Sequence, residues 1–536
     1  MHHYRLNEVK TKISVPKEKL PQIVADGLGI EVKDIQDFEI RRQSIDSRKK
    51  PKVMFVYTVD FHTKKELTKN PTVGNNSKKC VRDGNRTIGH LLKVDDEAEQ
   101  IVEPLCGTGK ILGRPIIVGM GPCGIFAGLE LARRGYSPMI IERGPEMIAR
   151  IKAVDKFKKE GILDPEANLL FGEGGAGTFS DGKLGTGIKD GLIRNVLSEF
   201  ADAGAGSDIM YLAKPHIGTD VLRAVIVNLR KKIKELGGEI CFDTKLESIN
   251  ISDGELKSVE ILSDKGLEVK ETNALILAVG HSARDTFKLM RDTGLEMQKK
   301  PFSIGVRMEH PQQMIDSAQY GEENVGKLPP AEYKLSYKAG NGRGVYSFCM
   351  CPGGEVVICT TKEGELCVNG MSNRKRDSGK ANSGILCDVR IEDFNEEDVL
   401  AGVRFQEKYE RLAFLNGGRD YTPPRCSMNE FLDERSEESR PVINSLPNFA
   451  AEAIREAVPV FARKIKGYDN SDAVVIGTET RSSSPVRIVR DSFGESNIKG
   501  IYPAGEGAGY AGGITSAACD GIRAARCIIE RFTNNK

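Results

Sequence analysis

Residues Arg114 to Gly144 read RPIIVGMGPCGIFAGLELARRGYSPMIIERG. Ile116–Val118 is a short apolar run of the kind that forms a buried strand. Gly119-Met120-Gly121-Pro122-Cys123-Gly124 follows at once, then an amphipathic stretch, Ile125–Arg134, at helical spacing, then a second apolar run, Pro138–Ile141. Strand, glycine turn, helix and strand make a βαβ unit in which each glycine has its own task. Gly119 permits the tight turn, Gly121 lets the backbone approach a pyrophosphate at the helix N-terminus, and Gly124 lets helix and strand pack closely. Glu142 ends the second strand 23 residues after Gly119, where an acid accepts ribose hydroxyls, and Arg143 follows it. A lone GxGxxG says little. Here strand, helix, second strand and acid all stand in order, so the unit predicts a dinucleotide site with Pro122 and Cys123 in its phosphate turn.

Two later segments extend this pattern. Leu275-Ile276-Leu277-Ala278-Val279-Gly280 is an apolar strand ending in Ala278-x-Gly280, and Ile501-Tyr502-Pro503-Ala504-Gly505-Glu506-Gly507 is another with an acid at its end. The second leads through Gly512-Gly513-Ile514 into a helix over Ser516–Phe532. A further GxGxxG, Gly172 to Gly177, has neither a useful strand before it nor a helix after it, so it does not read as a second nucleotide site.

Composition narrows the rest. The chain has 536 residues, enough for several domains, and a net charge of only +2, so bulk charge does not mark it as a polyanion binder. Hydrophobic content of 39% with 57 glycines describes a turn-rich globular α/β protein, and the absence of tryptophan argues against an aromatic-lined sugar site. The most membrane-like stretch, Pro115–Ala132, carries three glycines before Phe126, two prolines and Glu130, so no membrane span is expected. MHHYRLNEVKTK lacks the apolar core of a signal peptide. Twelve scattered cysteines fit a reduced, cytoplasmic protein rather than a disulfide scaffold. The seven histidines suggest no metal site.

The first 94 residues hold 20 Lys and Arg against 11 Asp and Glu. A strand from Lys10 to Val15, a helix from Glu18 to Leu28, and strands Phe38–Ile45 and Val53–Phe61 joined by the basic loop SRKKPK outline a small α+β module. Asn70–Asn85 reads as an exposed loop. From Pro301 to Lys466 the strand-like FSIGVRME, GVYSFCMC and EVVICTT, a polar loop NGMSNRKRDSGKANSG, and helices near Glu396–Asn416 and Phe449–Lys464 interrupt the βαβ pattern.

With these segments in place, the chain resembles the two-dinucleotide-binding-domain flavoproteins with the glutathione-reductase-like FAD fold. NLLFGEGGAGTFSDGKL, KPFSIGVRMEHP, FCMCPGG, ETRSSSPVRI and IYPAGEGAGYAGGITSAACDGI are similar to the uncharacterised FAD-dependent dehydrogenase family. The resemblance implies an α/β fold: a Rossmann-like FAD-binding domain over 111–300 plus 467–536, an inserted α+β substrate or cap domain over 301–466, and a ferredoxin-like N-terminal module over 1–110. It further implies that Gly174, Gly175, Ala176, Gly177, Thr178 and Ser180 fold over the flavin and its phosphates. Gly505 and Glu506 would reach the ribityl chain, and the helix after Gly512, Gly513 and Ile514 would face the flavin pyrimidine. Glu506 stands where Asp is commoner in that group.

The expected function is an FAD-dependent oxidoreductase, its FAD non-covalent, passing hydride through flavin N5 to or from an unidentified small molecule. NAD(P)H is expected at most as a transient donor. Two alternatives are an RNA-binding or RNA-modifying flavoprotein using the basic module around Arg41, Arg42 and Arg48, and a flavin-sensing protein with a protein partner. Arg481, beside Ser482–Ser484, reads either as an anion clamp over the flavin or as a solvated arginine in a surface turn. Lys183 and Asp181 either steady the phosphates or the flavin edge or lie in an exposed turn. Cys349 and Cys351 share a strand face, with Cα atoms at the edge of disulfide reach, and unpaired buried thiols are the simpler expectation. Cys123 reads as packing. Arg307, Glu309 and His310 read as strand-end polarity.

Overall fold

The structure, a computed structural model, describes residues 1–67, 79–83, 86–94 and 103–534. The chain divides into two compact units. One comprises 1–102, 206–215 and 316–331; the other comprises 103–205, 216–315 and 332–536.

In the first unit an antiparallel sheet runs in the order Gln36–Asp46, Met54–Thr63, His2–Lys12, Arg86–Lys93, Lys79–Asp83. Helix Leu20–Leu28 covers it, burying Leu20 and Val24 against Leu6, Val9, Tyr57, Val59 and Phe61. Placing the first strand between Met54–Thr63 and Arg86–Lys93 is the order of a ferredoxin-like sheet. Among the described residues, however, Lys79–Asp83 is a hairpin strand where that fold has a second helix. The exposed loop expected over 70–85 therefore gives way to a strand at 79–83; the remainder of that stretch lies outside the described residues. The segment 206–215 adds to the sheet edge through Gln43 N–H to Tyr211 O (2.7 Å) and Ala213 N–H to Gln43 O (2.8 Å). Charge in the basic loop is partly spent: Arg48 chelates Asp46, and Arg41 faces both Glu39 and Asp60.

The second unit is built on a five-stranded parallel sheet ordered Ile501–Pro503, Leu275–Leu277, Ile116–Val118, Met139–Ile141, Glu239–Cys241. The first four strands are completely buried three-residue runs, as parallel strands covered on both faces must be. From Ile116–Val118 the chain moves to one side for the next two strands and to the other for the last two. That reversal opens a crevice at the C-terminal end of the strand before Gly119. Helix Pro122–Arg133 and the C-terminal helix Ile514–Arg531 pack so closely that a Cβ on Gly521 would lie 2.1 Å from Cys123 O.

A six-stranded antiparallel sheet follows the order Ser336–Lys338, Gly344–Cys351, Lys380–Val389, Phe302–Pro311, Val474–Glu479, Arg425–Ser427. The run expected as a polar loop, Asn369–Gly384, is loop only in its middle, over 372–379: Cys367–Met371 pairs with Glu355–Cys359, and Lys380–Val389 lies inside the large sheet. Its polar side chains face inward because Asn369 and Asn382 serve a buried arginine, which removes the apolar alternation that would reveal a strand. Helices Ala401–Asn416 and Asn448–Lys464 lie where helical spacing places them. Among the described residues no helix is long and apolar enough to cross a membrane.

Candidate functional site

At the strand C-termini the second unit encloses a cavity of ≈ 420 Å³, within the range of sites that bind small molecules and cofactors. Its floor is the turn after Ile116–Val118. Gly119 has φ +102°, and a Cβ there would strike Ala278 O at 2.4 Å. A Cβ on Gly124 would lie 1.9 Å from Gly119 O, so this glycine serves close packing and does not line the cavity. Gly121 differs: the nearest atom to an added Cβ is Gly175 Cα at 3.9 Å. The space above it is open.

Glu142 ends its strand pointing back into this turn. Its Oε2 accepts from Met120 N–H (2.9 Å), and its Oε1 accepts from Gly144 and Gly172 N–H (3.0 Å each). Three of its acceptor sites thus lock two loops to the strand end, leaving a small remainder for a ligand hydroxyl. Arg143 lines the cavity, but its guanidinium is held by Glu166 and Asp285 and lies 4.4 Å from the Phe171 ring centre. It is a wall, not a free cation.

The second glycine run forms a single 3₁₀ turn, Ala176–Phe179, rather than an α-helix. Gly175, Ala176, Gly177 and Ser180 face the cavity, while Gly174 and Thr178 support the loop from behind. Arg150, fully buried, braces the loop by donating to Asn168 O (3.0 Å), Glu173 O (2.6 Å) and Gly175 O (2.9 Å). Nothing local singled it out, since it sits in a helix rich in other basic residues.

The N-terminus of Ile514–Arg531 closes another side. Added Cβ atoms on Gly512 and Gly513 would meet nothing within 4 Å, and both glycines line the cavity with Ile514. Gly505 does not line it. Its N–H donates to Asp520 Oδ2 (2.7 Å), and Asp520 is also held by Arg490. Glu506 does line it and pairs with His281, Nδ1 to Oε1 3.2 Å. His281, missed by the sequence reading, has a buried Nε2 with no partner. Ala278 and Gly280 complete this side.

The far wall comes from the antiparallel sheets and carries the corrections. Arg481 borders the cavity, but it is no free anion clamp: its Nε and Nη2 grip the buried Glu410 at 3.0 and 2.8 Å. Arg284 grips Glu410 from elsewhere at 2.7 and 2.8 Å. Burial pushes the Glu410 carboxyl up, yet the two guanidiniums outweigh it and hold it well below the usual range. Arg307 is not strand-end polarity either. It lies in mid-strand with no exposure and donates to Glu479 (2.8 Å), Asn382 (2.7 Å) and Cys349 O (3.1 Å). His310 is buried and bonded to Tyr468 O (2.8 Å); only Glu309 behaves as expected, pairing with Lys380. Asp181 and Lys183 are not in an exposed turn, because Asp181 is buried against Arg376 (2.7 Å) and Lys183 (3.1 Å). Cys349 borders the cavity, Cys351 is buried beside it, and both are free thiols.

Two helix N-termini therefore converge on one cavity, each beside glycines whose missing side chains leave room. Helix N-termini attract phosphate through unpaired N–H groups and the helix dipole. With apolar Val118, Ile141, Leu170 and Ile514 around them, these residues fit a dinucleotide cofactor.

Residues 301–482 match the family model described as FAD-dependent protein, C-terminal domain-like, and residues 4–62 match one described as a domain of unknown function, DUF8436. An uncharacterized protein of Clostridium beijerinckii is 42% identical over 545 residues, covering 98% of this chain and 99% of that one. This chain belongs to the same family. This chain's similarity to solved structures is distant: flavin-dependent brominase Bmp2 (13% identity, 77% of each chain, TM-score 0.36) and L-proline dehydrogenase from P. horikoshii (13%, 80% of this chain and 96% of that, TM-score 0.35). A geranylgeranyl bacteriochlorophyll reductase-like protein from Thermoplasma acidophilum aligns at 14% identity over 78% of each chain, TM-score 0.34.

Proposed function

We propose that the protein is a cytoplasmic FAD-dependent oxidoreductase acting on a small molecule, with FAD bound non-covalently in the cavity. The observation that carries the reading is the convergence of the Gly121 and Gly513 helix N-termini on one cavity, in a chain with an FAD-dependent family match. When bound, the flavin supplies two-electron chemistry by hydride exchange at N5.

The chain's own residues do the rest. Gly121, Gly175, Gly512 and Gly513 leave room for the pyrophosphate, and the two helix ends offset its charge. Glu142 holds the loops so that these N–H groups are positioned before the cofactor arrives. Glu506 fixes the His281 ring through Nδ1 at the cavity wall. The apolar walls exclude water, and NAD(P)H enters the same cavity as a transient donor.

The test is the visible spectrum of the purified protein, followed by anaerobic NADH and then NADPH. A yellow protein bleached by one of them is expected. A colourless protein that takes up no FAD on reconstitution would refute the reading.

A further inference from the structure

Three cysteines, Cys349, Cys359 and Cys367, line the far wall of the cavity, and Cys351 is buried beside the first. They form two pairs with opposite surroundings. Cys359 and Cys367 face each other across an antiparallel hairpin, and Cys367 donates to Cys359 O at 2.9 Å. Burial pushes both thiols up, Cys359 to about 12, so they stay protonated.

Cys349 and Cys351 sit on a β-bulge. Phe348 pairs with Gly384 and Cys351 with Asn382, so three steps on one strand span two on its neighbour, and Cys349 has φ +43°. A regular strand sets residues i and i+2 near 7 Å apart, at the limit for a disulfide; a bulge bends the strand and shortens that span. The Cys351 thiol already donates to the Cys349 carbonyl (3.2 Å). Two cations converge on the pair: Lys183 Nζ at 3.7 Å and Arg307 Nη1 at 3.9 Å from Cys351 Sγ. The acids facing these cations are Asp181, shared with Arg376, and Glu479. The hydrogen bond from Cys351, together with Lys183 and Arg307, outweighs burial and holds the Cys349 thiol well below its ordinary range.

We propose that Cys349 and Cys351 are a redox-active dithiol opening on the cavity, with Cys349 the attacking sulfur, Cys351 the resolving one, and a small organic disulfide the oxidant. The Cys349 thiolate attacks one sulfur of that disulfide; the substrate S–S bond breaks, a mixed disulfide forms, and the expelled thiolate takes a proton from water. Cys351 then attacks the Cys349 sulfur, expelling the second thiolate, which takes the proton Cys351 gives up. The protein loses two electrons, and the small disulfide gains two and leaves as two thiols. A small dithiol reverses the sequence. Nothing in this exchange depends on a bound flavin.

The test uses the full-length protein equilibrated across a series of 2-hydroxyethyl disulfide and 2-mercaptoethanol mixtures, quenched with N-ethylmaleimide and digested with trypsin. Cleavage after Arg343 and Lys362 places Cys349, Cys351 and Cys359 on one peptide and Cys367 on the next. At the oxidising end the first peptide is expected two hydrogens lighter, linked between Cys349 and Cys351, with only Cys359 labelled. In the reduced protein, a pulse of iodoacetamide at neutral pH should modify Cys349 at least about tenfold faster than Cys359. Lys183→Met should narrow that ratio, and Cys351→Ser should trap the small thiol on Cys349. Full labelling of Cys349 and Cys351 across the whole series would overturn the proposal. So would equal alkylation of Cys349 and Cys359 in the unaltered protein.

Discussion

Gly121 and Gly124 stand three residues apart in one turn, and their replacement by alanine should damage the protein in two different ways. Gly124→Ala places a methyl 1.9 Å from Gly119 O. Restoring van der Waals contact needs a shift of more than about 1 Å in a packed helix and strand, a cost of about 1–3 kcal/mol. Gly121 has φ −79°, a conformation alanine adopts freely, and its new methyl meets nothing closer than 3.9 Å. Gly121→Ala should therefore fold with unchanged stability, or gain up to about 0.5 kcal/mol from a stiffer unfolded chain. Its methyl would stand where a pyrophosphate must approach, weakening FAD by about 10–100-fold if the clash costs what overpacking usually costs. Thermal melting of flavin-stripped protein and calorimetric titration with FAD measure the two effects separately. Wild-type FAD affinity in Gly121→Ala would show that no pyrophosphate lies over that glycine. Wild-type melting of Gly124→Ala would show that the close approach of helix and turn is absent.

Other perturbations have equally definite outcomes. Glu410→Gln leaves the buried Arg481 and the partly buried Arg284 without their carboxylate and should cost about 3–5 kcal/mol in urea unfolding; a change under 1 kcal/mol would contradict the burial of the Glu410–Arg481 pair. Glu142→Gln turns an amide against three N–H donors, and should lower stability by about 1–3 kcal/mol and release FAD together. Burial holds His310 neutral, its pKa pushed down to about 4. The folded form therefore binds fewer protons than the unfolded one between pH 6.5 and 4. Its contribution is fully present above pH 6.5 and is lost as pH falls toward 4, on the order of 3 kcal/mol in all. His310→Gln should flatten that part of the stability-pH curve, and an unaltered slope would rule out His310 as its source.

The parallel core was legible because its signals are local. Ile116–Val118, Leu275–Leu277 and Ile501–Pro503 are apolar runs next to glycines whose spacing matches their tasks, and most residues named for the cofactor border one cavity. The misreadings share a cause, which is pairing at long range. Arg307 looked like strand-end polarity because its carboxylate, Glu479, lies 172 residues away; Arg481 looked free because Glu410 lies 71 residues before it. Lys380–Gly384, the start of a strand, looked like a loop because its buried Asn382 answers Arg307 rather than a hydrophobic neighbour. His281 left no signal at all, being a single histidine after an apolar strand.

The first unit is assembled from three separated pieces of chain, the last ending at residue 331. A ribosome adds roughly 5–20 residues per second, so the N-terminal sheet waits on the order of ten seconds or more for the segments that complete its unit. During that interval the edge of strand Gln36–Asp46 that receives Tyr211 and Ala213 is open to any extended peptide nearby. A gene fragment ending near residue 102 would prolong that interval indefinitely. Such a fragment is expected to associate through this edge, whereas one ending after residue 331 carries every strand and loop the unit requires.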